Sequence, residues 1–230
     1  VRQLLKRSEE GRVVATCRNP DGAADLLKLK KEYENRLNIL PLDVTNETTI
    51  EVYVSSFHQR HILASLFAIA IESADLYFSE NGMSWQAAAS AVSETYGSLN
   101  LLVNTSGILS IPNVLQPETT LSKVQKSSLL LTYEVNAVGP ILVIKNHLFI
   151  SAVTKTVSVE FSRKKDPIVC ILLHPGTVDT DLSRPFQRNV PEGKLFTKGF
   201  AVQKLLNIID NVKSSDNGKF FAWDGQEIPW

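Results

Sequence analysis

Short apolar runs recur along this chain between stretches of helical spacing. Residues 12–17 (RVVATC), 37–42 (LNILPL), 99–103 (LNLLV), 168–173 (IVCILL) and 219–223 (KFFAW) are rich in β-branched, leucine and aromatic side chains. Continuous runs of this kind read as strands of a buried, parallel sheet. Helical patterns predict helices over 2–10, 23–36, 87–96, 121–150, 151–165 and 195–213. Gly11 is placed to stop the first helix, and Asp21, in the turn Asn19-Pro20-Asp21-Gly22, to cap the second. Asn46 to Thr49 opens a further helix, and Gly139-Pro140 predicts a kink in the long one. Residues 51–89 hold apolar and aromatic positions without a clean period, and read as an atypical insertion.

The spacing of strand, helix and strand over 12–42 is that of a βαβ unit. Repeated along the chain, it predicts an α/β fold with a doubly wound parallel sheet, in one domain over 1–230. The length of 230 residues is ample for a core, and 43% hydrophobic with 21% charged residues excludes a disordered chain. With 24 basic and 24 acidic side chains the net charge is zero, which argues against nucleic-acid partners and polybasic membrane binding. The longest apolar run, 62–71, ends at Glu72 and is too short to span a bilayer. Cys17 and Cys170 sit within apolar runs, as strand-core thiols do. The first residues resemble no secretory signal, so the chain is expected in the cytoplasm, with an organelle leader before Val1 left open.

The 11 glycines are never closer than six positions, so no G-x-G-x-x-G and no G-x-x-x-x-G-K can be written. The usual phosphate loop is therefore missing. In an open parallel sheet, ligands sit beyond the carboxyl ends of the strands. Those ends carry Arg18, Asp43-Val44, Asn104-Thr105-Ser106-Gly107 and His174-Pro175-Gly176-Thr177. Six pieces stand in the order and near the spacing of one known family: VVATCRNP (13–20), LPLDVT (40–45), LNLLVNTSGIL (99–109), YEVNAVGP (133–140), LLHPGTVDTDL (172–182) and FFAWDGQEIPW (220–230). On these pieces the chain resembles a short-chain dehydrogenase/reductase. It looks most like the carbonyl-reductase-type members that end in a W-D-G segment.

The resemblance implies a Rossmann-like fold, NADP as cofactor in preference to NAD, and a small carbonyl substrate. Arg18 matches the position that reads the adenosine ribose, where a guanidinium can fork onto a 2′-phosphate; the alternative is a solvated turn arginine. Asp43 and Val44 match the adenine-contacting pair, with Asp43 equally suited to starting a helix. Asn104 and Gly107 match the ends of an N-N-A-G segment whose small residues admit the cofactor, while Thr105 and Ser106 depart from it. Asn136 matches the catalytic asparagine that holds a water in the proton relay, or else satisfies a helix kink. Pro175, Gly176, Thr177 and Thr180 match the segment that binds the nicotinamide end. The resemblance also implies pairing of subunits through the long helices, here 121–165.

Two parts of the family pattern are missing. Its first strand and glycine-rich turn would precede Val1, and its Tyr-x-x-x-Lys segment has no counterpart. None of Tyr33, Tyr53, Tyr77, Tyr96 or Tyr133 has a lysine four residues on. That lysine lowers the tyrosine's pKa so that it can exchange a proton at the carbonyl oxygen. The helix after Asn136 runs directly into SAVTKTVSVEF, downstream family sequence to which Lys155 belongs, so the strand before the catalytic helix is lost too. The expectation is an incomplete doubly wound sheet, and an oxidoreductase-family protein of impaired or no turnover. Its rival is a pseudoenzyme acting through oligomerisation or residual nucleotide binding. His58-x-x-His61 lacks a third ligand, and no metal site is expected.

Overall fold

The computed structural model describes residues 1–44, 66–70, 91–92, 94–96, 99–109, 111, 115, 121–139, 152–163 and 168–229. The chain forms two compact units, Val1–Asn146 and His147–Trp230. No helix among the described residues is long and apolar enough to cross a membrane.

The first unit is built on four parallel strands: β1 (Arg12–Cys17), β2 (Leu37–Pro41), β3 (Leu66–Ala70) and β4 (Leu101–Asn104). Their order across the sheet is β2-β1-β3-β4. From Val13 to Cys17 every residue of β1 is buried, as befits a strand with neighbours on both sides. Helix α1 (Arg2–Arg7) buries Leu4 and Leu5, and α2 (Ala24–Glu32) buries Leu26 and Leu29, three apart on one face.

Strand β3 is the departure from expectation. Sequence spacing made 51–89 an insertion, most of which lies outside the described residues, yet Leu66–Ala70 pairs in parallel with both β1 and β4. In a doubly wound sheet of order 3-2-1-4, the place between strands 2 and 4 belongs to the first strand. By the matched segments β1, β2 and β4 are strands 2, 3 and 4, so β3 fills the slot of the strand expected before Val1.

Helix ends also shift. Helix α1 stops at Ser8, which turns to extended backbone, and its hydroxyl accepts the N–H groups of Glu10 and Gly11. The Arg36 guanidinium then donates to the carbonyls of Leu5, Ser8 and Gly11, taking up carbonyls that a helix end leaves orphaned. Asp21 caps nothing: α2 starts after Ala23 without a side-chain cap, and Asn19 Oδ1 closes the preceding turn by accepting from Gly22 N.

Helix α3 (Lys126–Tyr133) follows a short 3-10 turn, Leu121–Lys123, and runs into a π-helical turn, Glu134–Val138. An irregularity thus lies just before Gly139, while Pro140, where the kink is expected, lies outside the described residues. Gly139 has its own reason: a Cβ there would lie 2.5 Å from Val44 Cγ2, so only glycine lets the helix approach the end of β2. Leu42, Val44, Ile108, Ile111, Leu115 and Val135 form the buried cluster at this point.

The second unit holds α4 (Ala152–Ser162), β5 (Leu172–His174), β6 (Thr177–Val178), β7 (Leu195–Phe196), α5 (Lys198–Asn211) and β8 (Phe220–Ala222). Strand β5 pairs in parallel with β8, and β6 with β7. Residues 195–196, expected in a helix, are strand; the helix begins only after Thr197, whose hydroxyl accepts the Phe200 N–H at 3.2 Å. The doubly wound pattern is therefore present but incomplete. Among the described residues its strands fall into a parallel four and two parallel pairs, with none between β4 and β5 in sequence.

Candidate functional site

The parallel register aligns the carboxyl ends of the first sheet. Cys17 stands opposite Pro41, Thr16 opposite Ala70, and Ala70 opposite Asn104. The residues that follow these strands, Arg18, Asp43 and Asn104 to Gly107, therefore leave the sheet at one edge. Leu42 N donates to Cys17 O at 2.9 Å, which holds the first two exits side by side.

Each expected residue has a definite setting there. Arg18 is 6% exposed and engaged within the protein, so it is not a solvated turn residue. A buried guanidinium demands acceptors around it, and a phosphate would meet it only from inside the fold. Asp43 is half-buried with partners of its own. Val44 is 2% exposed and gives its side chain to the core, which leaves its backbone for any adenine contact.

Asn104 and Ser106 are the unusual pair. Ser106 N donates to Asn104 Oδ1 at 3.1 Å, which fixes the amide and points its Nδ2 elsewhere. Both Asn104 Nδ2 and the Ser106 hydroxyl are buried without a hydrogen-bond partner. Such orphans each cost about 1–3 kcal/mol, and in folded proteins they mark missing partners. At Gly107 a Cβ would lie 3.7 Å from Asn136 Oδ1, an ordinary contact, so nothing among the described residues demands glycine there. Unspent donors and spare room at a strand end fit a nucleotide.

Asn136 is committed. Its Oδ1 accepts from Ile108 N and its Nδ2 donates to Ile108 O, both at 2.6 Å. The amide thus joins the π turn after α3 to the segment after β4. Sequence reasoning weighed a helix-kink role against a water relay; the side chain satisfies the backbone of a different segment, which leaves the relay reading to the Asn136 backbone.

Pro175, Gly176, Thr177 and Thr180 lie together in the second unit, at the carboxyl end of β5 and through β6. Gly176 has φ +73 and donates its N–H to His174 Nδ1 at 3.1 Å. Thr180 N donates to Ser183 Oγ, and Ser183 Oγ in turn donates to Val178 O at 2.6 Å. Gln187 Nε2 reaches Asp179 Oδ1 at 2.8 Å and Ser183 Oγ at 3.0 Å. Sequence reasoning missed Ser183 and Gln187, since a lone serine and glutamine in an irregular stretch carry no motif.

The remaining chemistry is quiet. Burial pushes the thiols of Cys17 and Cys170 up, and neither forms a disulfide. No group of three His, Cys, Asp or Glu among the described residues could hold a metal ion, and His58 and His61 lie outside them.

Comparison with known proteins gives the same picture. No family model matches the chain. An uncharacterized oxidoreductase of Schizosaccharomyces pombe is 24% identical over 248 residues, covering 100% of this chain and 92% of that protein. Among solved structures, an NADPH-bound carbonyl reductase from chicken fatty liver superposes with a TM-score of 0.69 at 22% identity, over 100% of this chain and 92% of that one. The carbonyl reductase Sniffer of D. melanogaster gives 0.64 at 19% identity, over 95% and 88%. These structural likenesses carry the Rossmann fold, and the sequence match carries the oxidoreductase kinship. In sequence pattern the chain is similar to uncharacterized oxidoreductases, and in fold it is similar to carbonyl reductases and other short-chain dehydrogenases/reductases.

Proposed function

We propose that the chain binds an NADP-type dinucleotide at its strand carboxyl ends and turns over small carbonyl compounds weakly or not at all. The observation that carries the first half is the pair of orphaned polar atoms, Asn104 Nδ2 and Ser106 Oγ, beside the open backbone of Gly107. A ribose or phosphate oxygen would satisfy both. In the first unit Arg18 would meet a 2′-phosphate, and Asp43 with the Val44 backbone the adenine; in the second unit Pro175 to Thr180 match the segment that binds a nicotinamide end. A bound nicotinamide supplies hydride; the chain's share is to hold and orient it.

The second half rests on the proton. A carbonyl that takes hydride needs an acid at its oxygen, and no tyrosine here has a lysine one helical turn on. Asn136 offers no substitute through its side chain, which is spent on Ile108. NADPH titration, followed by a consumption assay with quinones and aldehydes, tests both halves. Binding that weakens in Arg18→Ala, with slow or no consumption, is the expected result. Absence of binding would remove the cofactor half, and rapid consumption the other.

A second reading has its own observation. Leu129, Leu130 and Tyr133 on α3 are 52%, 56% and 61% exposed, an apolar stretch of helix of the kind that marks contact surfaces. Pairing with an intact relative through α3 would be a non-catalytic activity. Co-purification of the two chains supports it, and independent migration on a sizing column removes it.

A further inference from the structure

The turn that starts at Pro175 is gripped by aromatic rings. A Cβ on Gly176 would lie 2.6 Å from Phe196 Cε2 and 3.3 Å from Trp223 Cδ1, so the rings close directly on its backbone. Phe196 and Trp223 stack tilted, with centroids 4.6 Å apart, and Phe200 completes the cluster at 5.0 and 5.7 Å. Lys204 Nζ lies over the faces of Phe200 and Trp223, at 5.6 and 5.9 Å. That cation–π contact holds the rings in place. Two stretches distant in sequence close on the turn here: β7 with the start of α5, and the turn after β8. The strand pairing Val178↔Phe196 and the bond from Asp179 N to Phe196 O at 2.8 Å tie in the residues that follow.

We propose that Trp223, with Phe196 beside it, is the positioning residue for Pro175–Thr180, fixing the backbone that faces the nicotinamide end of the cofactor. The proposal deepens the nucleotide-binding reading above and rests on it. Glycine at positive φ allows this turn but does not select its direction, because glycine tolerates many conformations. The selection comes from packing, and large flat side chains with few torsions supply it. Trp223 therefore acts through Gly176 and Phe196 and touches no ligand itself. Thr177 and Thr180 take their positions from the grip. A displacement near 1 Å at such a segment costs up to about a hundredfold in function.

The test uses the intact chain and two ligands: NADPH, and adenosine 2′,5′-bisphosphate, which lacks the nicotinamide half. Trp223→Ala should weaken NADPH roughly tenfold or more while leaving the bisphosphate within about twofold of the original chain. Trp223→Phe should restore most of the loss. Phe196→Leu, a milder change, should show the same selective loss with a nearly unchanged melting temperature, and it serves if Trp223→Ala does not fold. Unchanged NADPH affinity in Trp223→Ala or in Phe196→Leu would overturn the proposal. So would equal losses for both ligands, the signature of general destabilisation. If the original chain binds neither ligand, the nucleotide-binding reading itself falls and this inference with it.

Discussion

Asn136 shows how a motif residue can carry a structural load that its motif does not announce. Its position was legible from YEVNAVGP, but its partner, Ile108, lies 28 residues away and is set only by tertiary packing. Replacing Asn136 by Ala would strand a buried N–H and a buried C=O, at a cost of about 2–4 kcal/mol. We expect that loss in the urea midpoint without any ligand present, so lost activity in this variant is not by itself a sign of catalysis. A midpoint matching the original chain would show the clamp to be idle. Ser106 behaves in the opposite sense. Ser106→Ala removes a buried hydroxyl that has no partner, so the ligand-free protein should gain up to about 1 kcal/mol. If the hydroxyl serves a nucleotide, the same variant should bind NADPH more weakly. Lower ligand-free stability would mean that the hydroxyl has a partner after all.

Elements were legible where local pattern decides them, and shifted where distant groups do. β1 falls on the apolar run 12–17 as expected, because burial on both faces leaves only one way to place it. The end of α1 was misplaced because Ser8 and Arg36 close it, the latter from after α2. β7 went unseen because a two-residue strand carries no period. A comparable link joins α5 to β8, where Asp216 accepts the Lys213 N–H at 2.9 Å and meets Lys219 Nζ at 2.9 Å. The Lys219 bond, then the Lys213 N–H, hold the Asp216 carboxyl below the ordinary carboxylate range. Asp216, with Glu227 adding, pushes Lys219 above the ordinary lysine range. A depressed acid stabilises fully above its unfolded pKa and loses that effect as pH falls through its folded value. A raised lysine stabilises fully below its unfolded pKa and loses that effect as pH climbs through its folded value. The pair thus supports the fold across the neutral range, by the small amount usual for surface pairs. Asp216→Asn should lower the melting temperature slightly at neutral pH, and the gap should close in acid. A gap that persists below the carboxylate range would mean that the charge is not what matters.

For the whole molecule, the parallel sheet was legible in the matched strand ends, but the strand at its centre was not. Residues 62–71 form an apolar run without alternation, which fits a buried strand and a helix segment alike. Parallel pairing is settled only between segments far apart in sequence, and here it sets Leu66–Ala70 against 12–16 and 101–104. That placement gives the sheet a strand of this chain in the slot between β1 and β4. The idea can be tested through the backbone alone. Ala68 stands opposite Val14 on one side and Leu102 on the other. Proline there removes an N–H and crowds a strand paired on both flanks, which central strands do not tolerate. We expect Ala68→Pro to cost about 3 kcal/mol or more, enough to abolish a cooperative melt in a domain of ordinary stability. An insertion lying outside the sheet would accept the same proline with little change in the urea midpoint. Such tolerance would return β3 to the status of a decoration and leave β1 an edge strand, whose continuous burial from Val13 to Cys17 would then have no cause.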